Sequence, residues 1–253
     1  MDFNIYPPSQ DRADYERVVK VVAEAMGATP EQVKAQYNIM PHTLRMGFYV
    51  NPTTSEYVVS PRKGVDTNAP LDSILLDQND WFIGNQMGLR FSRADYASGA
   101  YSNHGNYAKL TYPDPVAFPY TGTAVGDEAK SLQTLVNGTV SVKVAGTPII
   151  DGQLAQELCY NPDGTAVASP LAHPRFGGSP GDRGLFPLTP TLILNAMSDN
   201  AFTLNLSNGV KTNIDGNIST GTTAATTRNV VYFMLAGWKI KNLAEGGKLC
   251  KTA

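Results

Sequence analysis

One stretch of the chain fits a catalytic pattern literally. Gly177-Gly178-Ser179-Pro180-Gly181 matches the G-x-S-x-G of a nucleophile elbow. That elbow takes the backbone N–H after the serine into its oxyanion hole, and Pro180 has none. It also needs a strand before the serine, a helix after it and a triad histidine further along. Ser179 instead sits among glycines and prolines, and the last histidine is His173. No serine hydrolase is expected.

Metal ligation and phosphate binding fare no better. His42, His104 and His173 are each more than sixty residues apart, and no C-x-x-C or H-x-x-x-H spacing occurs. Asn213-Ile214-Asp215-Gly216-Asn217 and Asn161-Pro162-Asp163-Gly164 resemble fragments of calcium loops. Both lack the alternating acidic ligands and the closing glutamate, so they read as turns. Gly246-Gly247-Lys248 is followed by Leu249 where a P-loop needs Ser or Thr. Asp77 and Asp80 are spaced for acid–base work, but Leu76-Asp77-Gln78-Asn79-Asp80 ahead of Trp81 reads as a polar turn feeding a strand. His42, after Pro41, reads as a hydrogen-bonded turn histidine. The expectation is a protein that is not an enzyme, with no catalytic, cofactor-binding or metal-binding residues, no cofactor and no small-molecule substrate.

Composition points to the elements. The 253 residues carry 20 basic and 22 acidic side chains, a net charge of −2, and charged residues are 17% of the total. That is below the roughly 25% of an average soluble domain. In their place stand 22 Thr and 18 Asn, with 23 Gly and 17 Pro. Thr suits strands and Gly and Pro punctuate them, so many short strands joined by turns are expected. No apolar run is long enough for a transmembrane helix, and the first residues lack the basic and apolar regions of a secretory signal. Cys159 and Cys250 are expected as reduced thiols.

Residues 11–26 predict a helix, with Asp11 as N-cap, Val18, Val19, Val22, Ala23 and Met26 at helical spacing, and Gly27 as the stop. A second helix is expected from Thr29 to about Tyr37, with Pro30 at its first position. Two such helices need another surface. They form either an arm clamping a neighbour or a pair packed on their own domain, and residues 1–40 are assigned to an N-terminal helical arm.

From residue 41 to 253 a β domain is expected. Leu44, Met46, Phe48 and Val50 share a face, and Asn51–Thr54 reads as a turn into a returning strand at Tyr57–Val59. Trp81, Ile83, Met87, Leu89 and Phe91 are expected on one face and Gln86 and Arg90 on the other, with a bulge or bend at Gly84-Asn85. A short helix over 126–136 leads through Asn137-Gly138 to Thr139–Val144, whose three valines point inward. Residues 161–190 hold six prolines and five glycines and read as a long loop. Short strands follow at Leu192–Leu194 and Phe202–Leu206, then a Thr-rich loop, Ser219–Thr227. Val230–Ile240, apolar on both faces, is the expected central strand.

The order of segments from about Gln36 to Tyr160 carries a resemblance. It comprises Asn38-Ile39-Met40-Pro41-His42-Thr43-Leu44-Arg45, Leu76-Asp77-Gln78-Asn79-Asp80-Trp81-Phe82, Leu110-Thr111-Tyr112-Pro113-Asp114 with Phe118, and Leu135-Val136-Asn137-Gly138-Thr139-Val140-Ser141-Val142. About half the chain thus resembles bacteriophage virion structural proteins, particularly jelly-roll-type major capsid proteins of phages infecting Bacteroidetes-like hosts. The resemblance implies a mainly β fold of jelly-roll type, a single elaborated barrel with a double jelly roll as the alternative. It implies a capsid protein that self-assembles into the phage shell after synthesis in the host cytoplasm, with copies of itself and other virion proteins as partners.

Charge agrees with such contacts, since Thr/Asn-rich faces pack without a like-charge field opposing them. The first 50 residues hold five basic against six acidic side chains, which is no basic arm for a genome. From Trp238 onward Lys239, Lys241, Lys248 and Lys251 face Glu245 alone, which allows weak contact with a genome, or an internal membrane could lie beneath the shell. Two alternatives accompany this reading. One is a minor virion component such as a penton, spike or decoration protein. The other is a carbohydrate-binding β-sandwich or adhesin, for which Tyr96, Tyr101, Tyr107, Tyr112 and Tyr120 would supply the stacking rings.

Overall fold

The computed structural model describes residues 8–50, 54–66, 69–97, 100–102, 109–111, 135–159, 184–206 and 227–242. They form helices α1 (Pro8–Met26) and α2 (Pro30–Gln36) and strands β1 (Tyr37–Tyr49), β2 (Glu56–Val59), β3 (Trp81–Ala97), β4 (Ala100–Ser102), β5 (Thr139–Val144), β6 (Thr147–Leu154), β7 (Phe186–Asn195), β8 (Ala201–Asn205) and β9 (Thr227–Asn242). The chain is mainly β. One sheet runs β1-β9-β3, with β7 and the short β4 both pairing β3 on its other side, and the second runs β2-β8-β5-β6. All these pairings are antiparallel.

The two sheets face each other across one core. Leu44, Met46, Phe48 and Val50 supply the β1 side, as their alternation predicts, and Val140, Val142, Phe202 and Leu204 supply the opposite sheet. Full burial of side chains this size contributes roughly 1.5–3 kcal/mol each. The structure corrects the expected hairpin of β1 with β2, for β2 pairs β8 in the second sheet. The apolar faces explain the crossing: Phe48 and Tyr57 meet across the core with rings stacked 4.4 Å apart. The intervening residues 51–53 lie outside the described residues.

β9 is central, as its two-sided apolar pattern predicts. Val231, Phe233 and Leu235 enter the core between the sheets. Its even-numbered residues lie on the outer face, where Trp238 and Ile240 meet the helices. β3 departs from the expected alternation. Its register on β9 shifts between Gly84 and Gln86, leaving Asn85 as the extra residue. A bulge reverses the phase of every residue beyond it. Trp81 and Ile83 therefore face the helices, while Phe82 joins Met87, Leu89 and Phe91 in the core.

The helices pack on the outer face of the first sheet through Val18, Val19, Val22, Ala23 and Val33, against Ile39, Ile83 and Ile240. Of the two placements expected, the described residues adopt the one on the chain's own domain. α1 starts at Pro8, three residues before Asp11, so Asp11 lies within the helix instead of capping it; proline is pre-set for a first helical position. Gly27, with φ +63°, ends α1, and Ala28 N–H reaches back to Ala23 O at 2.9 Å. Thr29 and Gln32 form a reciprocal capping box on α2. The chain passes directly from α2 into β1, so the expected boundary at residue 40 falls inside a strand.

Two further expectations change. β7 begins at Phe186, so 186–190 is strand and not the end of the Gly/Pro loop, whose residues 161–183 lie outside the described set. Among the described residues β7 pairs with β3 alone, the setting in which a sheet tolerates prolines such as Pro187 and Pro190. Of the helix expected over 126–136, Leu135 and Val136 are described and helical. β5 and β6 are joined by Ala145-Gly146, with φ +49° and +78°, the two left-handed positions of a tight hairpin.

β1, β3, β6 and β8 finish at one end of the sandwich, where β2, β5, β7 and β9 begin. The other end carries the short connections 60–80, 145–146 and 196–200.

Candidate functional site

The short-connection end is where the described charged and polar groups converge. Lys239, on the core-facing side of β9, has its Nζ 2.6 Å from Asp80 Oδ2 and 3.7 Å from Asp77 Oδ2. Asp77 Oδ1 in turn lies 2.6 Å from Lys63 Nζ. Asp77 N–H donates to Asp80 Oδ2 at 2.8 Å, and Asp80 N–H donates to Asp77 O at 3.1 Å. The polar turn expected at Asp77–Asp80 is therefore present, and it also carries an ion-pair chain that caps the core. The hydrogen bond from Lys63 holds the Asp77 carboxyl below its usual range, with the charges of Lys63, Lys239 and Lys241 adding to it against some burial. His42 belongs to this end: burial lowers its pKa, Lys239 lowers it further, and Asp80 opposes both.

A second cluster lies on the outer face of the first sheet. Tyr232, fully buried, donates its O–H to Asp72 Oδ1 at 2.7 Å. Lys109 Nζ reaches Asp72 Oδ2 at 2.8 Å, and Arg45 Nε donates to Asp72 O at 2.7 Å. Both cations also stand over the Tyr232 ring, 5.9 Å away for Arg45 and 5.6 Å for Lys109. Burial pushes the Asp72 carboxyl up, but the bonds from Lys109 and Tyr232 with the Arg45 charge outweigh it and hold it low. Burial and the bond to Asp72 push the Tyr232 phenol up. Such pairing ties the 69–76 segment to β1 and β9.

Arg90 and Cys159 form a third buried pair of ionisable groups. Arg90 donates from Nη1 to Leu89 O at 2.8 Å and Gly184 O at 3.1 Å, and burial lowers its pKa. Cys159 is a free, buried thiol, in keeping with the reduced cysteine expected, and burial pushes its pKa up.

A cleft lies at the short-connection end. It is about 470 Å³ in volume, with walls from Val58 to Asp66 on one side and Met197 to Ala201 on the other. Asn200 braces the second wall: its Nδ2 donates to Asn195 O at 2.6 Å, and its Oδ1 accepts from Ala145 N–H at 3.1 Å. Nothing in the sequence pattern marks this cleft, because its walls come from connections that are far apart in the chain.

The other residues singled out by sequence are scattered or lie outside the described residues. Ser179, His104, His173, Asn161–Gly164, Asn213–Asn217 and Gly246–Lys248 lie outside them, as does Cys250. Tyr96 and Tyr101 are register partners across β3 and β4; their side chains, and Tyr107, Tyr112 and Tyr120, lie outside as well. Among the described residues no group of three or more His, Cys, Asp or Glu is placed to hold a metal ion, and no helix is long and apolar enough to cross a membrane.

No protein-family model, curated protein or solved structure matches this chain.

Proposed function

We propose that this protein is a virion structural subunit, a capsid protein of single jelly-roll type that builds a phage shell by contact with copies of itself. Strand order is the observation that carries the reading. With the three-residue β4 set aside, the eight other strands, counted along the chain, stand as 1-8-3-6 in one sheet and 2-7-4-5 in the other. First pairs eighth, second pairs seventh, third pairs sixth and fourth pairs fifth, as in one long antiparallel hairpin wrapped so that successive pairs alternate between sheets. Viral shell subunits use this jelly-roll order, as do lectins and cupins.

An architecture shared so widely does not choose a function alone. The resemblance of residues 36–160 to capsid proteins and the near-neutral Thr/Asn-rich composition favour the shell. A sheet edge adds to them: among the described residues β6 pairs with β5 alone, and it is largely solvent-facing along its eight residues. Pro148 and Asp151 on that edge discourage indiscriminate strand addition, so contact there has to be specific. Partners are then copies of the chain and other virion proteins, in particles assembled in the host cytoplasm. Sedimentation velocity over a concentration series tests the reading. Growth into defined oligomers or shells supports it, and a monomer at the highest concentration counts against it.

A carbohydrate-binding role is the second reading, favoured by the register pairing of Tyr96 with Tyr101. A glycan array without binding at millimolar ligand disposes of it.

A further inference from the structure

The apolar cluster under the helices takes in the outer face of the first sheet and no residue of the second. Strand alternation defines the outer face of that second sheet. Tyr57, Val59, Val140, Val142, Phe202 and Leu204 lie in the core, and the residues between them point away from it. Register sets the outward residues in rows, since directly opposite residues share a face. The first row is Glu56-Asn205-Thr139-Leu154, the next Val58-Thr203-Ser141, and the third Ala201-Lys143. Val58 and Leu154 are 52% and 41% exposed there. Glu56 and Lys143 are exposed as well, towards diagonally opposite corners, and neither has an ion-pair partner among the described residues.

We propose that this face binds the same face of a second copy about a two-fold axis, with Glu56 of each copy against Lys143 of the other. The contact rests on the shell reading and gives it a surface. Charge selects the occupant, because an acid and a base set apart on one face are complementary to the same face turned about a two-fold. Geometry agrees. Glu56 and Lys143 stand two strands and four residues apart, about 17 Å at ideal strand spacing. The two-fold axis that exchanges them bisects this line at Thr203 and, continued across the sheet, passes over Leu154. Leu154 therefore meets Leu154 of the second copy, and Val58 comes over Ala201. Asp151, exposed on the edge strand, stays at the rim. The strands of the two copies then cross at roughly 70°, near the orthogonal class of packed sheets. The face measures roughly 14 × 14 Å between its outermost rows and strands, well below the ~800 Å² per partner of a standard interface. One such pair is weak alone and gains strength by repetition in a shell.

Cross-linking across the axis tests the contact. Packed sheets stand ~10 Å apart, too far for a disulfide, so a short bismaleimide is used. Full chain carrying Leu154→Cys and Cys250→Ser is treated at high protein concentration, and 154–154 dimers are quantified on gels and mapped by mass spectrometry. They are expected about tenfold faster than the dimers of a Leu71→Cys control, although Leu71 is more exposed, at 75%. Glu56→Lys alone or Lys143→Glu alone sets like charges together twice and should slow the reaction about tenfold. The double reversal restores the pairing and should return the rate to within about twofold of the start. Equal rates at positions 154 and 71, or a double reversal as slow as the single ones, would overturn the proposal. Oligomers in sedimentation that ignore all three reversals would overturn it too, while leaving the shell reading standing. Monomers in sedimentation that still show the cross-linking pattern would support this face and count against the shell. Melting temperatures check that the variants fold. If Leu154→Cys fails that check, sedimentation equilibrium of the charge variants alone, without any added cysteine, reads the same loss and rescue.

Discussion

Lys239 and Asp80 form a 2.6 Å ion pair at the mouth of the core, with Asp80 only 2% exposed as a residue and the Lys239 side chain 13% exposed. The pair joins the end of the central strand to the turn that starts β3, two elements about 160 positions apart in the chain. It is thus the latch between the last strand and the third.

Removing one partner leaves the other charge buried. Lys239→Met is expected to destabilise the fold by about 3 kcal/mol, because Asp80 keeps its burial and loses its cation. The double variant Lys239→Met/Asp80→Asn should recover a substantial part of that loss. Guanidinium unfolding of the three proteins measures both numbers; a double variant as unstable as the sum of its single changes would contradict the latch.

Acid should weaken the fold in two stages. His42 has a folded pKa below its ordinary 6.5, so the unfolded chain takes up the proton first. Its contribution is complete above 6.5 and is lost as pH falls from there through the folded value. Asp72 and Asp77 are held below 3.8, so their contribution is present above that value and disappears only as pH falls through the folded values. His42→Gln should flatten the upper stage and spare the lower. Urea midpoints measured from pH 8 to pH 3 check the sign.

Gly237 sits opposite Gly84 at the β3 bulge, and a Cβ at Gly237 would clash with the backbone carbonyl oxygen of Ile83. Backbone cannot turn aside as a side chain can. Gly237→Ala is expected to cost about 3 kcal/mol, at the upper end for overpacking, with the loss read as a lower melting temperature.

Ala145 offers the opposite sign. It holds φ +49° in the β5–β6 hairpin, where a side chain is disfavoured and glycine is not. Ala145→Gly keeps the N–H to Asn200 Oδ1 bond and should raise stability by about 0.5 kcal/mol, a small rise in denaturation midpoint with an unchanged slope.

How much of this could be read from sequence varies by element. The inward valines of β5 were legible because their alternation is unbroken, and β9 was legible because Val230–Ile240 is apolar on both faces and mostly β-branched or aromatic. The Thr29 cap and the Asp77–Asp80 turn were legible because their bonds are local. Trp81 and Ile83 were misplaced on the face of Met87, Leu89 and Phe91 since one extra residue, Asn85, reverses the phase, and the glycines beside it mark a bulge without fixing its register. The pairing of β2 with β8 depends on which apolar faces meet, which no local window contains. The charged end joins His42, Lys63, Asp77, Asp80 and Lys239, and only Asp77 and Asp80 are neighbours in the chain. The cleft is invisible for the same reason.

The most direct test of the shell role is proteomic. Native particles would be purified, imaged in negative stain, and their protein stoichiometry measured by quantitative mass spectrometry. A capsid role predicts this chain in regular shells at the copy number of a principal subunit. Particles whose shells are complete without it would contradict that role.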